Sequence, residues 1–136
     1  MDGKASSMSE EEREFLWLLG FLHLRYGRWE DARVIFRGLK ALFPGEPAFA
    51  KALGFALLKT GEYRAALREI DRFLEKASEK EDLEAGYWLK SKALWGLGHG
   101  KKARDQLDRL LAVKGGERWG GFGMAPPDAG NPPKKA

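Results

Sequence analysis

The chain has no cysteine. Neither a disulfide framework nor a thiolate-held metal can staple it, which suits a reducing compartment. Its two histidines, His23 and His99, stand 76 residues apart and form no recognisable metal-ligand set. His23 falls on the inward stripe of a helix and reads as a packed side chain, and His99 lies in a turn between glycines and reads as solvated. No run of about 18 apolar residues is present, so no segment is expected to insert in a membrane. The opening MDGKASSMSEEE lacks an apolar core behind its charge and does not read as a secretory signal. A cytoplasmic location is therefore expected. Neither a phosphate-cradling loop, nor a Ser-His-Asp arrangement, nor a GxGxxG after a strand can be found. No catalytic residue, metal or cofactor is expected, and the chain reads as non-enzymatic.

What is present points to helices. With 43% hydrophobic and 32% charged residues over 136 positions, the composition fits one soluble, helix-rich domain. The net charge of +4 is spread through Lys and Arg interleaved with Asp and Glu, the pattern of solvated helix faces rather than of a nucleic-acid footprint. Ser9 followed by Glu12 makes a capping box and starts the first helix. Leu16, Leu19, Gly20, His23 and Leu24 then recur at helical spacing as far as about Tyr26. Gly27 ends this helix, and Trp29 opens a second one with Ala32, Ile35, Phe36 and Leu39 on its inner face. Pro44 and Gly45 stop it.

The pattern then returns. Gly20, Gly27, Ala32 and Phe36 are followed 34 residues later by Gly54, Gly61, Ala66 and Ile70. Pro47 sits at a first helical turn, where proline is tolerated, and Tyr63 takes the place of Trp29. Leu53, Gly54, Leu57, Ala66, Ile70 and Phe73 are expected inside. The small residues at Gly20, Gly54, Ala32 and Ala66 are expected where paired helices cross closely. A charged connection, SEKEDLE, precedes a third and degenerate copy that starts near Glu84. There Ser91 replaces the first glycine and Gly100 the aromatic, while Ala103, Leu107 and Leu110 hold their places. From Gly115 the sequence turns Gly- and Pro-rich and cannot bury a core. Trp119, Phe122 and Met124 in this tail are either a short docking motif or uncommitted chain. The expected organisation is a disordered N-terminus over residues 1–8, a repeat domain over 9–114 with copies at about 13–46, 47–80 and 84–114, and a disordered tail over 115–136.

A helix-turn-helix unit with a 34-residue period resembles the tetratricopeptide repeat. The resemblance covers about residues 13–114 and implies an all-α fold, three tandem repeats forming a short right-handed solenoid. In that family the first helix of each repeat lines a concave groove. Carried over by register, Trp17, Phe21, Leu24 and Arg25 would stand there from the first repeat. Lys51, Phe55, Leu58 and Lys59 would come from the second, and Trp88, Lys92 and Trp95 from the third. Apolar and aromatic anchors flanked by basic side chains suit a protein-binding groove. The alternative is that these aromatics mostly fill the core of a small domain. Tetratricopeptide domains that clamp a C-terminal carboxylate use Lys and Asn at positions held here by Trp17, Phe21 and Phe55. Only Lys51 fits that scheme, so an apolar ligand is expected.

The opening EFLWLLGFLHLRYGRWEDARVIFRGLKALFP also resembles the small tetratricopeptide chaperones of bacterial type III secretion, most of all the YscY type. That resemblance implies a cytoplasmic chaperone. It would hold an apolar segment of a small secreted or secretion-apparatus protein, forming a hetero-oligomer with that client. The alternative is a general scaffold or self-associating adaptor in another bacterial assembly. An RNA-binding repeat would need a basic groove with a polar code, and the expected groove is too apolar for it.

Overall fold

The computed structural model describes residues 8–115. The readings of the N-terminal arm before Met8 and of the tail with Trp119, Phe122 and Met124 lie outside the described residues. Six helices follow one another: α1 (Glu10–Arg25), α2 (Trp29–Leu42), α3 (Pro47–Lys59), α4 (Tyr63–Lys76), α5 (Lys80–Gly96) and α6 (Gly100–Lys114). Each packs on its neighbours in the chain, and α3 also touches α5. Among the described residues the fold is all-helical, an array of three helix pairs of tetratricopeptide type.

Local chemistry sets the boundaries. The Glu12 N–H donates to the Ser9 hydroxyl at 3.1 Å, and the Ser9 N–H donates to the Glu12 carboxylate at 2.9 Å, closing the expected capping box. The three helix pairs turn in one way. Gly27, Gly61 and Gly98 take φ of 75°, 80° and 87°. In each turn the glycine N–H donates to the carbonyl three residues back, and the next N–H donates to the carbonyl five residues back. The latter bonds are Arg28 to His23 at 2.8 Å, Glu62 to Leu57 at 2.9 Å and His99 to Leu94 at 2.9 Å. This pairing satisfies the last carbonyls of the helix and needs a left-handed residue at its centre.

The core runs along the array through Leu24, Ala32, Phe36, Leu39, Leu53, Leu57, Ala66 and Ile70 into Leu89 and Ala93. Met8, expected in the N-terminal arm, is half-buried against it. The expected close crossings are present. A Cβ on Gly20 would lie 2.6 Å from the Phe36 ring, and one on Gly54 2.9 Å from Ile70 Cγ1. In the third repeat the buried Ser91 stands at this position, and its hydroxyl donates to the Trp88 carbonyl at 2.7 Å. The polar group is thus satisfied inside its own helix. Two further contacts of this kind link successive repeats. Gly86 lies against Leu74, and Gly96 against the Tyr63 ring.

One boundary differs from expectation. Helix α5 begins at Lys80, not near Glu84, so most of the charged SEKEDLE stretch is helical. Glu81 and Asp82 in the first turn complement the positive end of the helix dipole. Leu83 is half-buried, and Glu84 accepts from Lys114 Nζ at 3.3 Å across the pair. The inserted residues are absorbed as an extra turn rather than as a loop.

Candidate functional site

An open groove of about 500 Å³ runs across the first helices of the three pairs. Helix α1 contributes Trp17, Phe21, Leu24 and Arg25; α3 contributes Ala48, Lys51, Ala52 and Phe55; and α5 contributes Ala85, Trp88 and Leu89. The fold places these side chains together because α1, α3 and α5 occupy equivalent positions in the stack. Trp17, Lys51 and Trp88 are the same repeat position, as are Phe21 and Phe55, once the three-residue insertion before α5 is allowed for.

The aromatic wall is braced from below. The Trp17 ring meets Phe21 edge-on at 4.5 Å between centroids, and lies 5.5 Å from Phe36 and 5.3 Å from Phe49. Trp17 therefore belongs to both alternatives raised above: one side is core and the other lines the groove. Edge-to-face rings of this kind lock one another's orientation. Phe21 and Trp88 are the open anchors, 43% and 49% exposed. Leu24 is buried and forms the floor.

The basic side chains lie along rings. Lys51 Nζ stands 5.4 Å from the Phe73 ring centre, Lys92 Nζ 5.2 Å from Trp88, and Lys59 Nζ 5.3 Å from Trp29 and 5.5 Å from Phe55. Their stems cover apolar surface and their ammonium groups lie against the rings. No ion pair among the described residues engages Arg25, Lys51, Lys59 or Lys92. The groove therefore offers an apolar bed with unpaired positive charge at its edge. Several cations on the second helices are engaged instead. Lys40 and Arg72 both hold Glu69, at 2.9 and 3.2 Å, and Arg33 pairs with Glu62 at 3.1 Å and with Glu30.

Four residues expected in the groove lie outside its lining, Lys59 among them beside the Trp29 and Phe55 rings. Leu58 is buried in the core cluster. Trp95 is half-buried outside the lining, and Lys92 stays exposed over Trp88 without lining the cavity. Ala48, Ala52, Ala85 and Leu89 were missed. Ala48 and Ala85 share one repeat position, as do Ala52 and Leu89, so the repeat register carried the signal. The three alanines, being small, open the space that the aromatics border, and the buried Leu89 closes part of it from below. His23 is half-buried and His99 exposed. Among the described residues no helix is long and apolar enough to cross a membrane.

Paired helices stacked in register around a concave apolar wall define a helical-repeat binding module. No family model matches the chain. It is similar to the TPR repeat-containing protein BH2049 of Halalkalibacterium halodurans, at 34% identity over 101 residues. The match covers 74% of this chain but 37% of the relative, so the chain spans little more than a third of that protein's length. Fold and relative together support a tetratricopeptide-repeat protein, a kind of module that generally binds other proteins and is generally non-enzymatic.

Proposed function

We propose that the groove holds an apolar segment of a protein client, with acidic residues of the client flanking it. The observation that carries this reading is the pairing of exposed Phe21 and Trp88 with unpaired Arg25 and Lys51 in one lining. Aromatic anchors supply the desolvation energy, and the rim cations steer encounter and orientation. In its finer form the protein is a cytoplasmic type III secretion chaperone that keeps an exported partner from aggregating and delivers it. The resemblance of the Glu14–Pro44 stretch to that class supports this form.

The test is capture of the tagged chain from its host beside a Phe21→Glu variant. One stoichiometric partner is expected, lost in the variant while circular dichroism shows unchanged helicity. Loss of helicity instead would make Phe21 a core residue, and many substoichiometric partners would favour a general scaffold. Binding is expected to depend only weakly on salt compared with a nucleic-acid complex.

A further inference from the structure

Helix α1 carries a second apolar surface, apart from the groove. Phe15, Leu18, Leu22 and Tyr26 are 62%, 56%, 40% and 72% exposed. Their spacing puts them on one stripe of the helix. The same repeat positions in α3 are Phe49, Ala52, Ala56 and Thr60, and in α5 Gly86, Leu89, Ala93 and Leu97. In those helices this face lies against the second helix of the preceding pair, as the contacts of Gly86 with Leu74 and of Phe49 with Phe43 demonstrate. Phe49, Ala52, Ala56, Leu89 and Ala93 are accordingly buried. In α1 no described helix covers it, and Leu18 and Leu22 stand there where α3 has Ala52 and Ala56.

We propose that this face joins two copies of the chain through a two-fold α1–α1′ contact with the helices antiparallel. Two observations select a second copy in that orientation. First, the opposite end of the array offers no match. Among the described residues α6 exposes no large apolar side chain, and it turns Lys101, Lys102, Arg104, Asp105 and Arg109 to solvent. Head-to-tail stacking would therefore bury charge against Leu18 and Leu22, whereas an isologous contact sets the apolar stripe on itself. Second, the charges beside the stripe are segregated. Glu11 and Glu14 flank its amino-terminal end and Arg25 its carboxyl end, and none of the three has an ion pair among the described residues. An antiparallel pair centred between Leu18 and Leu22 brings Glu14 of each copy to Arg25 of the other. A parallel pair would set like charges together.

Sedimentation velocity of the full chain tests this. A species of twice the 15.3 kDa chain mass is expected. Leu18→Glu, at an exposed position, should weaken pairing at least about 30-fold with helicity unchanged. Glu14→Arg and Arg25→Glu should each weaken it about tenfold. The double variant Glu14→Arg/Arg25→Glu should regain the dimer, because each copy then supplies both swapped partners. A chain that stays monomeric at every concentration, its α1 face taken by its own ends or by another protein, overturns the proposal. So does a dimer indifferent to these substitutions. Arg25 borders both surfaces, so its variant reports on pairing only through the Glu14→Arg rescue, whereas Leu18 and Glu14 lie outside the groove lining and the groove reading keeps its own readout in the Phe21→Glu capture.

Discussion

Helices α1 and α3 hold the same place in consecutive repeats, yet they meet different surroundings. In α3, Phe49, Ala50, Ala52, Leu53, Gly54, Ala56, Leu57 and Leu58 are all buried. In α1 only Gly20 and Leu24 are. Local sequence does not account for this, since α1 is also rich in Leu and Phe. Position in the stack does. Helix α3 lies between α2 and α4, whereas α1 packs on α2 with no described helix before it. Side-chain size follows the neighbours. Where α3 must approach α2 it carries Ala52 and Ala56, and where α1 faces outward it carries Leu18 and Leu22. In a repeat array a helix acquires its stability from the interface with the next unit rather than from its own turn.

That contrast can be broken in graded steps. The largest effect is expected from Leu57→Ala. Leu57 is 1% exposed in the middle of the stack, so chemical denaturation should report a loss of about 2–5 kcal/mol. Gly54→Leu comes next. Its first side-chain atom already meets Ile70, which is itself wholly buried. Overpacking there should cost about 1–3 kcal/mol, read in the same way. At the edge of the array, Ser9→Ala removes the hydroxyl half of the capping box. It should cost about 0.5–2 kcal/mol, with hydrogen exchange quickening in the first turn of α1 and hardly elsewhere. The smallest effect belongs to Leu18→Ala. It is the same kind of truncation as Leu57→Ala, but on the open stripe, and in the dilute chain it should stay within about 0.5 kcal/mol. A cost at Leu18 near that at Leu57 under dilute conditions would mean that the α1 face is already covered within the single chain.

The repeat array is legible in the sequence because its signals are local. Gly27, Gly61 and Gly98 mark the turns since a left-handed residue is needed there. Ser9 and Glu12 mark the start of α1 by satisfying backbone donors within one turn. The start of α5 was not legible for the converse reason. A charge run such as SEKEDLE reads as a connection, and the contacts that seat the start of α5 on the array, Gly86 on Leu74 and Glu84 with Lys114, come from helices distant in sequence. The groove was legible in part. Trp17, Phe21, Leu24, Arg25, Lys51, Phe55 and Trp88 were found by register and line it. Leu58 and Trp95 occupy the register position of Leu24 but do not line the cavity. The register places a residue on a helix and leaves open whether that turn borders the cavity or the core.

By itself, then, the sequence determined the helices, their pairing and their period, because caps, turns and apolar spacing act within a few residues. Tertiary structure alone decided three things: that Trp17 serves core and groove at once, that Arg25 and Lys51 in the groove have no ion pair among the described residues, and that no described helix covers the outer stripe of α1. Each depends on which helix lies next to which, and burial is a property of that neighbour rather than of the residue.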